Sequence, residues 1–356
     1  MATSAVPGPS VVPGIPGLGG PQVVPVAPAP VPDLPAQLAQ TFNTVVASVR
    51  SAYVGRDATV RLALCCLMAE GHLLVEDHPG VGKTTLAKAL AQTLGLHCRR
   101  VQFTADLLPS DLLGAMVFDR QRSVPAFHPG PIFTNILLAD ELNRASPKAQ
   151  SALLEAMEEG QVSVDGVTHP LPRPFMVMAT QNPFDSAGTY PLPFSQRDRF
   201  LLRLAVGYPG RQAEDRLLAT SNERPRPEDL RVIGGADMLA HLTKMVNDVY
   251  VAPEVRAYVL DLVDATRQHP NILFGASPRA GLALLRTASA FAVTAGRDYL
   301  TPDDVKAVTG VVLAHRLAVS AAAELGGDTS TALVAEILAS VPVPVRASSG
   351  APLATG

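Results

Sequence analysis

The chain has 356 residues, which is long for a single hydrophobic core and predicts about two domains. Hydrophobic residues make up 47% of the chain and charged residues 17%, so a sizeable core is expected and a wholly disordered chain is excluded. The formal net charge is -3, aromatic residues make up 5%, and tryptophan is absent. These values argue against a nucleic-acid partner, which would favour a bulk positive field or aromatic stacking platforms.

The cysteines and the apolar runs indicate the cellular compartment of the protein. Cys65, Cys66 and Cys98 are odd in number and include an adjacent pair, so they do not form a disulfide framework. We interpret them as small buried apolar residues of a protein in the reducing cytoplasm. No uncharged, proline-free apolar run reaches about 18 residues, and the N-terminus has no basic segment. We therefore expect neither a membrane span nor a secretory signal.

Composition divides the chain into four parts. Residues 1–36 hold ten of the 32 prolines and a single charged residue, Asp33, which predicts a disordered, Pro-rich tail. Such a tail would be inert or would dock in a partner's groove. Residues 37–207 alternate apolar runs with helical patterns, residues 208–345 are helical in pattern, and residues 346–356 predict a flexible C-terminal tail.

The alternating part predicts an α/β fold with a parallel sheet. Its strands are expected to be short apolar runs covered on both faces. The predicted strands are 72–76, 98–103, 136–139, 175–180 and 200–204.

The helical part contains two explicit helix starts. Ser277 and Thr301 each supply a capping hydroxyl directly before a proline, which is favoured at the first helical position. After the second start, Val305, Val308 and Val312 recur on one helical face. These signals predict an all-helical second domain.

A phosphate-binding loop is predicted between the strand 72–76 and a following helical pattern. Its residues are Asp77, His78, Pro79, Gly80, Val81, Gly82, Lys83, Thr84 and Thr85. Gly80 and Gly82 allow backbone N–H groups to turn toward phosphate oxygens, and the helix N-terminus adds partial positive charge. Lys83 is predicted to reach the β- and γ-phosphates of ATP, and Thr84 to ligate Mg²⁺.

The loop departs from the usual pattern at Asp77, where the motif calls for glycine. Aspartate tolerates a left-handed backbone better than most residues, so we expect the turn to survive.

Two adjacent carboxylates follow the apolar strand 136–139. Strand ends of a parallel sheet share one edge, so Asp140 and Glu141 are expected beside the phosphate loop. Asp140 is predicted to hold hydrated Mg²⁺, and Glu141 to orient and deprotonate the attacking water. The alternative is an ordinary acidic loop after a strand.

Three further polar residues are candidates for the same reaction. Asn182 follows the strand 175–180 and is placed to bond the water or the γ-phosphate, although Asn before Pro also initiates turns. Arg279 lies in the first turn of a helix, where a cation is unfavourable unless an anion such as nucleotide phosphate is near. Arg199 is a candidate arginine finger for a neighbouring subunit. For both arginines the alternative is a salt bridge to a surface carboxylate.

The motifs, taken together, resemble the MoxR family of AAA+ ATPases over roughly residues 37–345. The matching segments are Gly-x-Gly-Lys-Thr at 80–84, Leu-Ala-Asp-Glu-Leu-Asn-Arg-Ala at 138–145, Ala-Thr-Gln-Asn-Pro at 179–183, Asp-Arg-Phe at 198–200 and Gly-Ala-Ser-Pro-Arg-Ala at 275–280, with longer matches at 101–111, 127–141 and 150–162.

The resemblance implies a P-loop AAA+ αβα core followed by a helical lid, with ATP between them and Mg²⁺ as cofactor. It also implies a homo-oligomeric ring, usually hexameric, and chaperone-like remodelling of a client protein, often one with a von Willebrand factor A domain. By this likeness Lys83 and Thr84 belong to Walker A, Asp140 and Glu141 to Walker B, Asn182 is sensor 1, Arg199 the arginine finger and Arg279 sensor 2.

The finger segment departs from the family pattern. Phe194 and Arg197 stand where the family has Glu and Leu, which makes Arg197 a rival for the role of the arginine that acts on a neighbour.

Two insertions are candidates for contact with the client. One is residues 108–131. The other is a predicted hairpin in which Val162 and Val164 precede Asp165-Gly166 and Val167 follows, after a helix capped by Ser146 and ended by Gly160. A purely structural hairpin is the alternative.

Two other functions remain open at this stage. One is a nucleotide-gated switch or scaffold with negligible turnover in the absence of its partner, against which the Asp140–Glu141 pair argues. The other is a nucleic-acid motor, which the net charge disfavours.

Overall fold

The fold combines a parallel sheet, flanking helices and a helical C-terminal region. The computed structural model describes residues 34–78, 80–119, 124–182, 189–190, 192–219 and 224–344. In chain order the strands are β1 (Leu73–Glu76), β2 (Cys98–Gln102), β3 (Gly114–Asp119), β4 (Val124–Pro129), β5 (Ile136–Asp140), β6 (Gln161–Val164), β7 (Val167–Pro170), β8 (Met176–Gln181), β9 (Leu202–Leu204), β10 (Ile272–Phe274) and β11 (Ala318–Val319). The helices are α1 (Leu34–Ala52), α2 (Asp57–Met68), α3 (Lys83–Thr93), α4 (Pro109–Leu113), α5 (Pro147–Glu159), α6 (Phe194–Arg197), α7 (Arg211–Ala219), α8 (Ala236–Asp248), α9 (Pro253–Gln268), α10 (Pro278–Thr294), α11 (Pro302–Leu313), α12 (Ala321–Leu325) and α13 (Ser330–Ser340).

The central sheet has five parallel strands in the order β2-β5-β8-β1-β9. Each strand that the sequence predicted is present, with bounds that differ by at most two residues. The three inner strands are apolar runs buried along almost their whole length, because helices cover both faces. Parallel pairing brings the carboxyl ends of β1, β5 and β8 to one edge of the sheet.

Side chains of one strand divide between two hydrophobic cores. Leu73 and Val75 pack in the core shared with α1, α2 and α3, whereas Leu74 packs in the core shared with α5. This alternation follows from the two-residue period of a strand and produces the αβα layering.

The C-terminal region is helical apart from the antiparallel pair β10–β11. Both predicted helix starts are confirmed, since Ser277 Oγ accepts a hydrogen bond from the N–H of Ala280 and Thr301 Oγ1 from that of Asp304. The repeated valines of α11 are fully buried, as predicted. This region shares its core with α1 and α2, so the two halves of the fold are packed together.

The predicted hairpin is formed by β6 and β7. Asp165 and Gly166 have φ of 50° and 79°, the positive values that a two-residue type I′ turn requires. The preceding α5 begins after the Ser146 cap and ends at Gly160, whose φ is 63°. The other insertion contains α4 and the antiparallel hairpin β3–β4.

The predicted tails lie almost entirely outside the described residues. The described chain starts with α1 at Leu34, slightly inside the segment 1–36, and the segment 346–356 is not described. None of the helices within the described ranges has the length and apolarity needed to cross a membrane.

Candidate functional site

The phosphate loop joins β1 to α3. Gly80 and Gly82 have φ of 82° and 86°, a conformation that glycine adopts without the steric penalty of a Cβ. Gly82 is the N-cap of α3, and its position offers no side-chain cap to the first N–H groups of the helix. Those donors and the helix dipole therefore favour an anion at the end of β1.

The loop opens on a cavity of about 360 Å³. Its lining residues are glycines and residues with polar side chains, and they come from the loop and from the carboxyl ends of β2, β5 and β8. The lining residues are Gly80, Gly82, Lys83, Thr84, Arg100, Gln102, Asp140, Glu141, Thr180 and Asn182. The structure thus brings together the predicted lysine, threonine, both carboxylates and the asparagine. Of the other predicted loop residues, Asp77, His78, Val81 and Thr85 do not line the cavity, and Pro79 lies outside the described residues.

Asp77 does not use the left-handed backbone that aspartate tolerates. Among the described residues, positive φ outside glycine occurs at Glu70, Glu141 and Asp165. Asp77 is buried, with 6% of the residue exposed, and its carboxylate accepts hydrogen bonds from two backbone donors, the N–H of His78 at 2.8 Å and the N–H of Gly207. It therefore ties the phosphate loop to the segment that follows β9.

Lys83 extends along the loop toward the cavity. Its Nζ donates a hydrogen bond to the backbone carbonyl of Asp77 at 2.8 Å. Burial lowers the pKa of Lys83 from its ordinary value, and the nearby carboxylates of Asp77, Asp140 and Glu141 oppose that shift.

Asp140 has polar partners on both carboxylate oxygens. Thr180 donates its hydroxyl to Oδ1 at 2.6 Å. On the other side, Arg100 donates to Oδ2 from Nη2 at 2.6 Å and from Nε at 3.0 Å. The strand register explains the contact, because β2 lies directly beside β5.

Glu141 is held by neighbours on both sides. Its Oε2 accepts from Gln102 Nε2 at 2.7 Å and lies 3.2 Å from Arg144 Nε. Its backbone has φ of 58° and its N–H donates to Thr180 Oγ1 at 2.9 Å. A left-handed backbone in a residue with a side chain is strained, and such strain often occurs at functional sites.

These side chains match what a magnesium–nucleotide complex needs. Thr84 and Asp140 supply hard oxygen donors, and uncapped N–H groups and Lys83 face the same space. Within the described ranges, no group of three or more His, Cys, Asp or Glu residues is arranged to hold a metal alone. Mg²⁺ in phosphate sites uses few protein ligands and completes its shell with phosphate and water, so the donor set fits.

Arg199 and Arg279 do not line this cavity. Both contact one carboxylate: Glu158 Oε1 lies 2.9 Å from Arg279 Nη1, and Glu158 Oε2 lies 3.2 Å from Arg199 Nη2. The anion near the start of α10 is the carboxylate of Glu158, which is the alternative that the sequence left open for Arg279. The role of Arg279 as sensor 2 stays a prediction.

The segment that carries Arg199 is fastened to the helical region. Asp198 accepts from Ser277 Oγ at 3.1 Å and from Arg316 Nε at 2.7 Å. Arg316 is only 2% exposed and also donates to the carbonyls of Leu201 and Phe200. The shared contact with Glu158 and this buried network hold the two arginines close to each other.

Arg197 has different surroundings. Its guanidinium lies over the ring of Phe194, 5.6 Å from the centroid, and burial lowers its pKa. Its Nε has no hydrogen-bond partner within the part of the chain that the structure describes. Arg199, and not Arg197, shares Glu158 with Arg279.

Comparison with known proteins agrees with this geometry. The model "ATPase family associated with various cellular activities (AAA)" matches residues 72–202, and the model "AAA lid domain" matches residues 264–337. The Mycobacterium tuberculosis protein named Chaperone MoxR1 is 40% identical over 286 residues, which cover 78% of this chain and 75% of that protein. The chain belongs to the MoxR family of AAA+ ATPases.

Two further matches cover more of this MoxR-family chain. The uncharacterized Bacillus subtilis protein YeaC is 43% identical over 308 residues, 86% of this chain and 96% of that protein. A crystal structure from Cytophaga hutchinsonii, assigned as an ATPase, superposes with a TM-score of 0.82 at 34% identity and covers 87% of this chain and 97% of that one.

Three cavity residues were not predicted from the sequence: Arg100, Gln102 and Thr180. A signal for Thr180 was present, since it stands two residues before Asn182 at the end of a predicted strand. Arg100 and Gln102 required the knowledge that β2 pairs with β5.

Proposed function

We propose that this MoxR-family protein is a Mg²⁺-dependent ATPase that works as a homo-oligomeric ring and remodels a client protein. One observation carries the proposal: the phosphate loop and the Asp140–Glu141 pair, which are far apart in sequence, line the same cavity. A loop that only bound phosphate would not need a second carboxylate beside the metal ligand.

The roles of the residues follow from their positions. N–H groups at the start of α3 and Lys83 bind the β- and γ-phosphates of ATP. Thr84 and Asp140 hold Mg²⁺, which when bound neutralises charge on the phosphate oxygens. Glu141 accepts a proton from the attacking water, and Asn182 orients that water.

Arg199 and Arg279 act, in this proposal, on the ATP of a neighbouring subunit. Both lie away from their own chain's cavity and share Glu158, so one surface presents two cations that an incoming γ-phosphate can attract. An isolated subunit then binds ATP but hydrolyses it slowly, because each site is completed across an interface. Ring size, hexameric by family likeness, does not follow from these contacts.

Remodelling of a client protein is proposed from the family and from one surface feature. A relative carries the name Chaperone MoxR1. The β3–β4 hairpin exposes the apolar side chains of Met116, Val117, Phe118 and Val124, which support contact with a protein partner. A client with a von Willebrand factor A domain remains our specific expectation.

A second candidate function is a nucleotide-gated switch with negligible turnover on its own. The observation in its favour is that Asp140 is bonded to Arg100 and Glu141 to Gln102 and Arg144. Both carboxylates would have to change partners before hydrolysis.

The test is Mg²⁺-dependent ATPase activity per subunit over a wide range of protein concentrations, with Glu141→Gln as the blank. Specific activity that rises with concentration supports shared sites and a ring. Activity equal to the blank at every concentration would contradict the ATPase and support the switch. In the same assay Arg199→Ala should lower activity while each subunit still binds ATP.

A further inference from the structure

The guanidinium of Arg100 contacts Asp140, the carboxylate proposed to ligate magnesium. It lies on the edge strand β2, and its guanidinium donates two hydrogen bonds to Asp140 Oδ2. Its Nη2 also donates to Gln102 Oε1 at 3.1 Å, which fixes the direction of the guanidinium. With 51% of its side chain exposed, Arg100 can leave this position without unpacking the core.

The contact matters because Asp140 has little further capacity. Thr180 donates to Oδ1, and Oδ2 accepts two hydrogen bonds from Arg100. A carboxylate accepts a limited number of hydrogen bonds, and arginine stays charged at every physiological pH. A second cation that approaches Asp140 must therefore either displace Arg100 or bind despite electrostatic repulsion from its guanidinium.

We propose that Arg100 is a resident counter-cation of Asp140, which competes with Mg²⁺ for this carboxylate and sets the Mg²⁺ concentration that nucleotide binding requires. The inference rests on the proposed function, since it assumes that Mg²⁺ and ATP occupy this cavity. Under this proposal Mg²⁺ gains access to Asp140 at the expense of two charge-assisted hydrogen bonds from Arg100.

If Arg100 instead binds the phosphates, its removal has the opposite effect on the Mg²⁺ dependence of nucleotide binding. If Arg100 were mainly a ligand of the phosphates, its removal would weaken nucleotide binding with and without Mg²⁺. If it competes with Mg²⁺, its removal raises the affinity of the site for Mg²⁺, so the two ideas differ in the sign of one measurement.

The experiment uses a fluorescent, non-hydrolysable ATP analogue, titrated with Mg²⁺ at fixed nucleotide, and repeated in EDTA. The variant is Arg100→Ala. Arg99→Ala is the matched control, because Arg99 carries the same charge, is exposed on the same strand and projects from the opposite face. Thermal unfolding of each variant checks that the fold is kept.

We expect the half-saturating Mg²⁺ concentration to fall about three- to tenfold in Arg100→Ala, as removal of one cation near a partly exposed carboxylate allows, with Arg99→Ala unchanged. Arg100→Lys should lie between, since it keeps the charge and loses the fork. An unchanged or increased Mg²⁺ requirement in Arg100→Ala would overturn the competition. Failure of the unaltered protein to bind the analogue in Mg²⁺ would overturn the proposed function itself.

Discussion

Replacing Asp77 tests whether this residue or a glycine suits the phosphate loop. The family motif has glycine here, so Asp77→Gly should be harmless if the aspartate merely substitutes for it. The structure predicts the reverse. The buried carboxylate bonds two backbone N–H groups, those of His78 and Gly207, and its removal leaves both donors without this partner.

The magnitude follows from those two bonds. A hydrogen bond to a charged acceptor contributes about 1.5–3 kcal/mol, so Asp77→Ala should lower the free energy of unfolding by about 3 kcal/mol. Asp77→Gly should cost about 1 kcal/mol more, because glycine also gains conformational freedom in the unfolded chain. The fold should survive, since domains are commonly stable by about 5–15 kcal/mol.

Urea unfolding of both variants measures this loss, with Asp261→Asn as the control. Asp261 is exposed on α9, and its substitution removes one negative charge without touching the loop. Binding of a fluorescent nucleotide is measured in parallel, and the loosened loop should weaken it. Variants of Asp77 that unfold within about 0.5 kcal/mol of the control would refute the reasoning, since that is the spread of ordinary surface changes.

Three further results are expected. Lys83→Ala should weaken ATP binding more than tenfold, since hydrogen bonds to charged groups contribute about 1.5–3 kcal/mol; near-normal affinity by fluorescence titration would contradict the phosphate role. Glu158→Gln should change the dependence of ATPase activity on protein concentration while nucleotide binding to single subunits stays constant, because within the described ranges the Glu158 carboxylate pairs with the two arginines assigned to the neighbour's site. Burial lowers the pKa of His72 to about 4 from 6.5, so the unfolded chain binds more protons between these values and stability falls as the pH drops through them. In urea titrations the unaltered protein should therefore lose about 2 kcal/mol more between pH 7.5 and pH 5 than His72→Gln does.

Local sequence signals predicted most of the fold. The inner strands were recognisable because a strand covered on both faces must be a short apolar run, as Ile136–Asp140 is. The starts of α10 and α11 were recognisable because the capping hydroxyl and the following proline are neighbours in the chain. The β6–β7 turn was recognisable because Asp-Gly accepts positive φ at both positions.

Contacts between distant residues were not predictable in this way. The sequence argument about Asp77 concerned its backbone conformation. The fold shows instead that its carboxylate accepts a hydrogen bond from the N–H of Gly207, 130 residues later. Arg279 was expected to need an anion, either a phosphate or a surface carboxylate, and only the fold identifies Glu158 as that carboxylate. Charge and residue type indicate that a partner is needed, whereas the identity of the partner depends on tertiary packing that no local pattern contains.

The position of Glu158 bears on how the two arginines could work. Glu158 belongs to α5 of the αβα layer, whereas Arg279 begins α10 of the helical region, and Arg199 is tied to that region through Asp198. Movement of either arginine toward its own cavity would break its ion pair with Glu158. Movement of the segment around Arg199 would also break the hydrogen bonds of Asp198 to Ser277 and Arg316. A neighbour's nucleotide, by contrast, can approach the pair where it stands and needs only to compete with one partly exposed carboxylate. The arrangement therefore favours action across a subunit interface over action within the chain, and it does so for both arginines together.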